Sequence, residues 1–204
     1  MLRMIQRGGA AAEWQRPRDM HPLIAELLRL RGIGSVEQAR AFLAPCAAQL
    51  HSPTLLFGMG RAVDLIRLSI TKADPICVYG DYDADGVCAA TIATEALRRY
   101  GIDATPHVPL REEGYGLNIA AVEELPKVYQ LLITVDLGIT NADEVNRAKE
   151  LGMRVIVTDH HQPGLVPCPA DAVVNPLLNG YPFPRLCGAG VAYKLACALL
   201  GVDA

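Results

Sequence analysis

No Cys-x-x-Cys pair occurs in these 204 residues, although there are six cysteines: Cys46, Cys77, Cys88, Cys168, Cys187 and Cys197. Several sit in apolar surroundings, so a reduced, cytoplasmic interior is expected in place of a disulfide framework or a zinc cage. Long apolar runs are also missing. Each run is short and broken by charge or glycine, which excludes a spanning helix and a membrane partner. The opening MLRMIQRGGAAAEW has no apolar run ahead of its glycines and alanines, which argues against a secretory signal. There is no run of lysines to make a backbone-binding stripe and no low-complexity linker. The single tryptophan, Trp14, is expected to anchor the amino-terminal arm in preference to stacking on a base.

The chain is 51% apolar, enough for a sizeable core. Its net charge of -3 is unevenly spread: residues 1–75 hold 10 Lys or Arg against 6 Asp or Glu, and residues 76–204 hold 9 against 16. The acidic excess includes clustered carboxylates that bound cations would offset, so net charge does not exclude a nucleic-acid partner.

The chain is expected to divide near residue 75. Residues 1–75 read as an amino-terminal helical region: HPLIAELLRLRG at 21–32, SVEQARAFL at 35–43 with Ser35 as cap and Gln38 three residues on, and GRAVDLIRLSI at 60–70. From 76 to 204, the apolar runs ICVYG, LLITV and MRVIVT alternate with helical stretches. Fully apolar strands separated by helices predict an α/β fold, a mostly parallel β-sheet flanked by helices. The proline-rich PGLVPCPADAVVNP excludes regular helix, and GAGVAYKLACALLG predicts a last one.

Each of the three runs ends in acid. DYDADG follows the first, placing Asp81, Asp83 and Asp85 before Gly86; Asp136 follows the second; Asp159, His160 and His161 follow the third. In an open parallel sheet the carboxyl ends of the strands line the ligand crevice, so these groups can converge despite their separation in sequence. Carboxylates this close repel one another, and a cation is the simplest relief. A surface turn whose Asp85 caps the next helix is the competing reading of the first group. An EF-hand is disfavoured because Ile92 stands where a glutamate is required. Carboxylates with a minority of imidazoles suit Mn²⁺ or Mg²⁺, and two such ions offer a route to phosphoester hydrolysis.

Other segments read less sharply. GAGVAYK offers Gly188 and Gly190 amides at a helix start with Lys194 a turn later, a place for phosphate or merely close helix packing. It is neither a Walker A loop nor a dinucleotide fingerprint. In REEGYGLN, Arg111 is a candidate phosphate clamp and Tyr115 a candidate stacking platform, although a surface loop would look the same.

Taken in order, DYDADG, REEGYGLN, TVDLGIT, TDHH and LCGAGVAYKL resemble the DHH phosphoesterase superfamily, and within it the RecJ single-stranded-DNA-specific exonucleases. HPLIAELLRLRGI and EQARAFL resemble that family's amino-terminal helices. The resemblance implies a manganese- or magnesium-dependent enzyme, with two ions, that degrades single-stranded DNA from a free 5′ end in recombination and repair. Single-strand-binding protein and a recombination helicase are implied partners. It places Asp83, Asp85 and His160 on metal ligands, Asp81 close by, Asp136 on the bridging carboxylate, and His161 at the scissile phosphate, with Asp159 orienting a histidine. RecJ-like proteins continue past the glycine-rich motif into a strand with a final metal-binding aspartate and a second domain. Here the chain stops at GVDA, with Asp203 too near the motif helix for that role, so an incomplete DHH domain is expected. Two other functions stay open: a hydrolase of small phosphoesters, cyclic dinucleotides or nanoRNA, and a non-catalytic, metal-stabilised binding fragment.

Overall fold

The computed structural model describes residues 16–114 and 116–202; Trp14 and Asp203 lie outside them. The chain forms two compact units, residues 1–50 and 51–204. In the first, α1 (Pro22–Leu30) and α2 (Val36–Leu43) form where the sequence predicts. Proline occupies the first turn of α1, where its missing N–H costs nothing. Ser35 caps α2 by accepting from the Gln38 amide at 3.1 Å. Only Leu28 and Ala39 are buried on these two helices.

The second unit carries the sheet. Its elements run α3 (Met59–Lys72), β1 (Ile76–Gly80), α4 (Ala84–Arg99), β2 (Ala104–His107), α5 (Ile119–Glu124), β3 (Leu131–Val135), α6 (Ala142–Glu150), β4 (Arg154–Thr158), β5 (Ala172–Val174) and α7 (Gly188–Leu200). The helix α3 packs in the core of this unit, so it counts with the sheet and not with α1 and α2. All five strands are parallel, in the order β2-β1-β3-β4-β5. Alternate strand residues feed two cores. Ile76, Val78, Leu131 and Ile133 face the core shared with α3, α4 and α7, whereas Cys77, Tyr79, Leu132 and Val155 face the one shared with α5 and α6. Burial on both faces is why β1 and β3 read as unbroken apolar runs.

The strand β5 was not expected from sequence. It is three residues long between prolines, too short to show a period, and is held by pairing Ile156 with Ala172 through Thr158 with Val174. Between β1 and β3 the strand order reverses direction, because β1 leads by way of α4 to β2 on one side and β3 leads by way of α6 to β4 on the other. Such a switch point opens a crevice at the carboxyl ends of the two strands. Asp81 and Asp136 follow those two ends.

Candidate metal centre

Glycines let the backbone come close enough to build this crevice. A Cβ on Gly86 would lie 2.6 Å from the Asp81 Cα, and one on Gly188 would lie 2.2 Å from the Asp136 carboxylate Oδ1. The start of α4 therefore lies against the end of β1, and the start of α7 against Asp136.

Asp136 is 2% exposed and has φ of 63°, a left-handed conformation that side chains other than glycine rarely adopt. The surrounding turn enforces it: the Asp136 amide donates to the Thr158 carbonyl at 2.9 Å, and the Thr134 hydroxyl donates to the Leu137 carbonyl at 2.9 Å. Strain of this kind persists where neighbours over-determine the backbone, and it collects at functional positions. The Asp136 Oδ1 is buried without a hydrogen-bond donor. His160 Nε2 stands 3.1 Å from it, but the contact lacks hydrogen-bond geometry. Burial, then the charges of Asp85 and Asp83, push this carboxyl up to about 7.

Two groups of ligand atoms meet at Asp136. Asp81, Asp83 and Asp136 form one, and Asp136, His160 and His161 the other, with the atoms of each within 4.8 Å of one another. A carboxylate that belongs to both groups and carries an orphaned buried oxygen fits a residue that would hold divalent cations. The oxygen-rich donor set suits Mn²⁺ or Mg²⁺.

Each remaining side chain has a second task. Asp81 is buried, and burial raises its carboxyl above the ordinary range; its Oδ1 accepts from the Tyr82 amide at 2.7 Å. Asp83 caps α4, accepting from the Asp85 and Gly86 amides at 2.8 and 2.9 Å. The competing reading had given that cap to Asp85. Asp85 instead reaches across to the start of α7, where its two oxygens accept from the Gly188 and Ala189 amides at 2.7 and 2.8 Å. Burial alone would raise Asp85, but these amides outweigh it and its carboxyl is lowered. It lies beside the two ligand groups, 3.7 Å from His160 Nε2, and belongs to neither.

Asp159 is 1% exposed and serves the loop behind the histidines. Its Oδ2 accepts from the Ile139 amide at 3.0 Å, while Oδ1 accepts from the His160 amide at 2.7 Å, the His161 amide at 3.1 Å and His161 Nδ1 at 2.7 Å. A proton on Nδ1 leaves Nε2 as the lone-pair nitrogen of a neutral His161 ring. Burial opposes a charge on His161, but the Asp159 hydrogen bond and neighbouring carboxylates prevail and its pKa is raised.

The glycine-rich motif does different work from the phosphate cradle considered in the sequence. Asp85 occupies the Gly188 and Ala189 amides, and the Gly190 amide donates to Cys187 Sγ at 3.4 Å, so the anion at this helix start is the protein's own carboxylate. Lys194 is 1% exposed and donates to the His51 carbonyl at 2.6 Å, which corrects its assignment as a phosphate ligand: it is spent inside the fold. Arg111 is exposed, with its guanidinium 5.2 Å above the Tyr82 ring next to Asp81. Tyr115 lies outside the described residues.

Asn175 was not singled out in the sequence. It is fully buried and donates to the His161 carbonyl at 2.9 Å, supporting the histidine loop from behind. Only its place after the strand AVV and before Pro176 hinted at a turn.

Residues 75–202 match the model of the DHH family, N-terminal domain. The chain is 43% identical over 184 residues to the single-stranded-DNA-specific exonuclease RecJ of Bacillus subtilis, covering 88% of this chain and 23% of that protein. A crystal structure of RecJ with Mn²⁺ from Thermus thermophilus is 35% identical, with a TM-score of 0.69 over 89% of this chain and 26% of that one. A second, of exonuclease RecJ bound to manganese, is 41% identical with a TM-score of 0.65 over 72% of this chain and 39% of that one. The chain thus spans about a quarter of the length of the Bacillus subtilis relative. With the family model matched over the whole sheet-bearing region and the acidic crevice at its switch point, the chain belongs to the DHH family.

Proposed function

We propose that this chain carries the catalytic centre of a divalent-metal-dependent nuclease that hydrolyses phosphodiester bonds of single-stranded DNA from a free 5′ end. The observation that carries the proposal is Asp136, common to two ligand groups and carrying a buried oxygen without a donor. The chain's similarity to RecJ proteins, for which two crystal structures contain manganese, supports the substrate and the metal.

Asp81, Asp83 and Asp136 would hold one ion, and Asp136, His160 and His161 the other. An Mn²⁺ or Mg²⁺ ion held by these residues would supply Lewis-acid polarisation of a phosphoryl oxygen and a more acidic water. Asp136 Oδ1 is held without a hydrogen-bond donor and so would be available as a ligand. Asp159 fixes the His161 ring through Nδ1, so that Nε2 would be the nitrogen offered to the second ion. Asp85 holds the start of α7 against the crevice and thereby keeps Gly188 close to Asp136. Arg111, on the rim beside Tyr82, is placed to pair with a backbone phosphate of the strand.

The test is hydrolysis of a labelled 5′-phosphorylated oligonucleotide in Mn²⁺ by the full chain, against the Asp136→Ala variant. Stepwise loss of nucleotides from the 5′ end, absent from the variant, is expected. Equal cleavage by the variant would sink the assignment. Preference for a dinucleotide over the long strand would favour a small-phosphoester hydrolase.

A further inference from the structure

Asn141 stands at the position that should cap α6, yet its side chain makes no capping bond. An asparagine there ordinarily accepts from the first-turn amides, a contribution of about 1 kcal/mol. Here it turns to the main chain of Leu117 instead: Nδ2 donates to the Leu117 carbonyl at 3.1 Å, and Oδ1 accepts from the Leu117 amide at 3.5 Å. One side chain thus satisfies both backbone groups of a residue 24 positions away, as a strand neighbour would. The neighbouring backbone is shaped for it. Gly116 has φ of +88°, and a Cβ on it would lie 3.1 Å from Asn141 Oδ1, while Leu117 is 2% exposed in the α5 and α6 core.

Arg111 and Leu117 are therefore each tied down. Arg111 lies over Tyr82, the residue after Asp81, and Leu117 is bracketed by Asn141, five residues after Asp136. Their two anchors sit on the two turns that supply the carboxylates.

We propose that Asn141 is a positioning residue, which holds the Gly116 and Leu117 backbone beside the metal crevice, so that the nearby Arg111 meets the strand's phosphates as a preformed contact. The assignment rests on the nuclease reading above. Asn141 touches no candidate metal ligand through its side chain, so its contribution falls on substrate capture and not on chemistry. Pre-ordering a loop removes an ordering cost that binding would otherwise meet.

The experiment compares the wild-type full chain with Asn141→Ala and Asn141→Ser in steady-state hydrolysis of 5′-phosphorylated single-stranded DNA. It adds Mn²⁺ calorimetry and hydrogen exchange of the 114–118 amides. Both variants are expected to raise KM about tenfold, equivalent to ~1.4 kcal/mol, with kcat and the number of Mn²⁺ sites unchanged and faster exchange at 116–118. Serine returns a capping oxygen to α6, so that variant keeps its Tm while losing the bracket, which separates positioning from stability. Unchanged KM in both variants overturns the inference, and so does a fall in kcat accompanied by lost Mn²⁺ sites. A wild-type chain that hydrolyses no single-stranded DNA sinks the functional reading, and the positioning role with it. An active wild type with unaffected variants sinks the positioning role alone.

Discussion

The two edges of the sheet treat acidic residues in opposite ways. At the amino-terminal edge, Asp74 before β1 pairs with Arg154 at the start of β4. Asp171 before β5 pairs with Lys149 at 3.2 Å and accepts from the Val155 amide at 2.8 Å. At the carboxyl-terminal edge stand Asp81, Asp83, Asp85, Asp136 and Asp159, and among the described residues no lysine or arginine forms an ion pair with any of them; only His160 and His161 come close. A half-buried carboxylate is costly without a partner, and the first edge supplies one from the chain. The second edge concentrates more charge in a more buried place and supplies amides, imidazoles and an oxygen left bare. The first edge spends its charge on the fold, and the second keeps its charge for a cation.

Removing the shared ligand should break this contrast most completely. Asp136→Ala is expected to abolish Mn²⁺-dependent hydrolysis and the rise in Tm that Mn²⁺ gives the wild type, about 2.7 kcal/mol of stabilisation at a hundredfold excess over Kd. Because it also deletes an uncompensated buried charge, it should not lower the Tm of the metal-free protein, which differential scanning calorimetry reads directly. Gly188→Ala forces a methyl group onto Asp136 and should cost roughly 1–3 kcal/mol through overpacking while disabling metal binding. A variant that kept both stability and metal would show that α7 can retreat.

At the other edge, Arg154→Ala leaves the part-buried Asp74 without its partner. It should cost about 1–3 kcal/mol in urea unfolding, with the Mn²⁺ isotherm untouched. Loss of metal in that variant would mean that the two edges are not independent. Asp85→Ala frees the first amides of α7 and should cost about 0.5–2 kcal/mol.

The smallest effect belongs to a solvated acid at neither edge. Arg98 and Arg99 hold the Glu95 carboxyl down to about 2, on the exposed end of α4. A carboxyl lowered in the folded state adds stability that is present above its unfolded value near 4.5 and is lost as pH falls toward 2. Glu95→Gln should therefore flatten the acid limb of the stability curve slightly and change nothing at the metal.

Much of the site could be read from the sequence because its residues are local. Asp81, Asp83, Asp136, Asp159, His160 and His161 each follow an apolar strand directly, and a parallel sheet lines up the ends of its strands. The glycine-rich motif was harder to read because a helix start attracts any anion: phosphate and a distant carboxylate satisfy the same amides, and Asp85 lies 103 positions from the Gly188 it caps. Lys194 looked like a phosphate ligand from its spacing alone, which cannot tell which face of α7 turns inward. Asn141 and Asn175 gave no signal of their partners, since an asparagine at a turn is ordinary and its partner is set by the fold.

The order of elements, the doubly covered parallel sheet and the carboxylates at its strand ends follow from the sequence, because periodicity and turn chemistry act over a few residues. The left-handed turn at Asp136, the oxygen it leaves without a donor, the use of Asp85 as a cap and the bracket on Leu117 were decided only when β1, β3 and α7 came together. Each depends on a contact between residues far apart in the chain, and local preference carries no information about those partners.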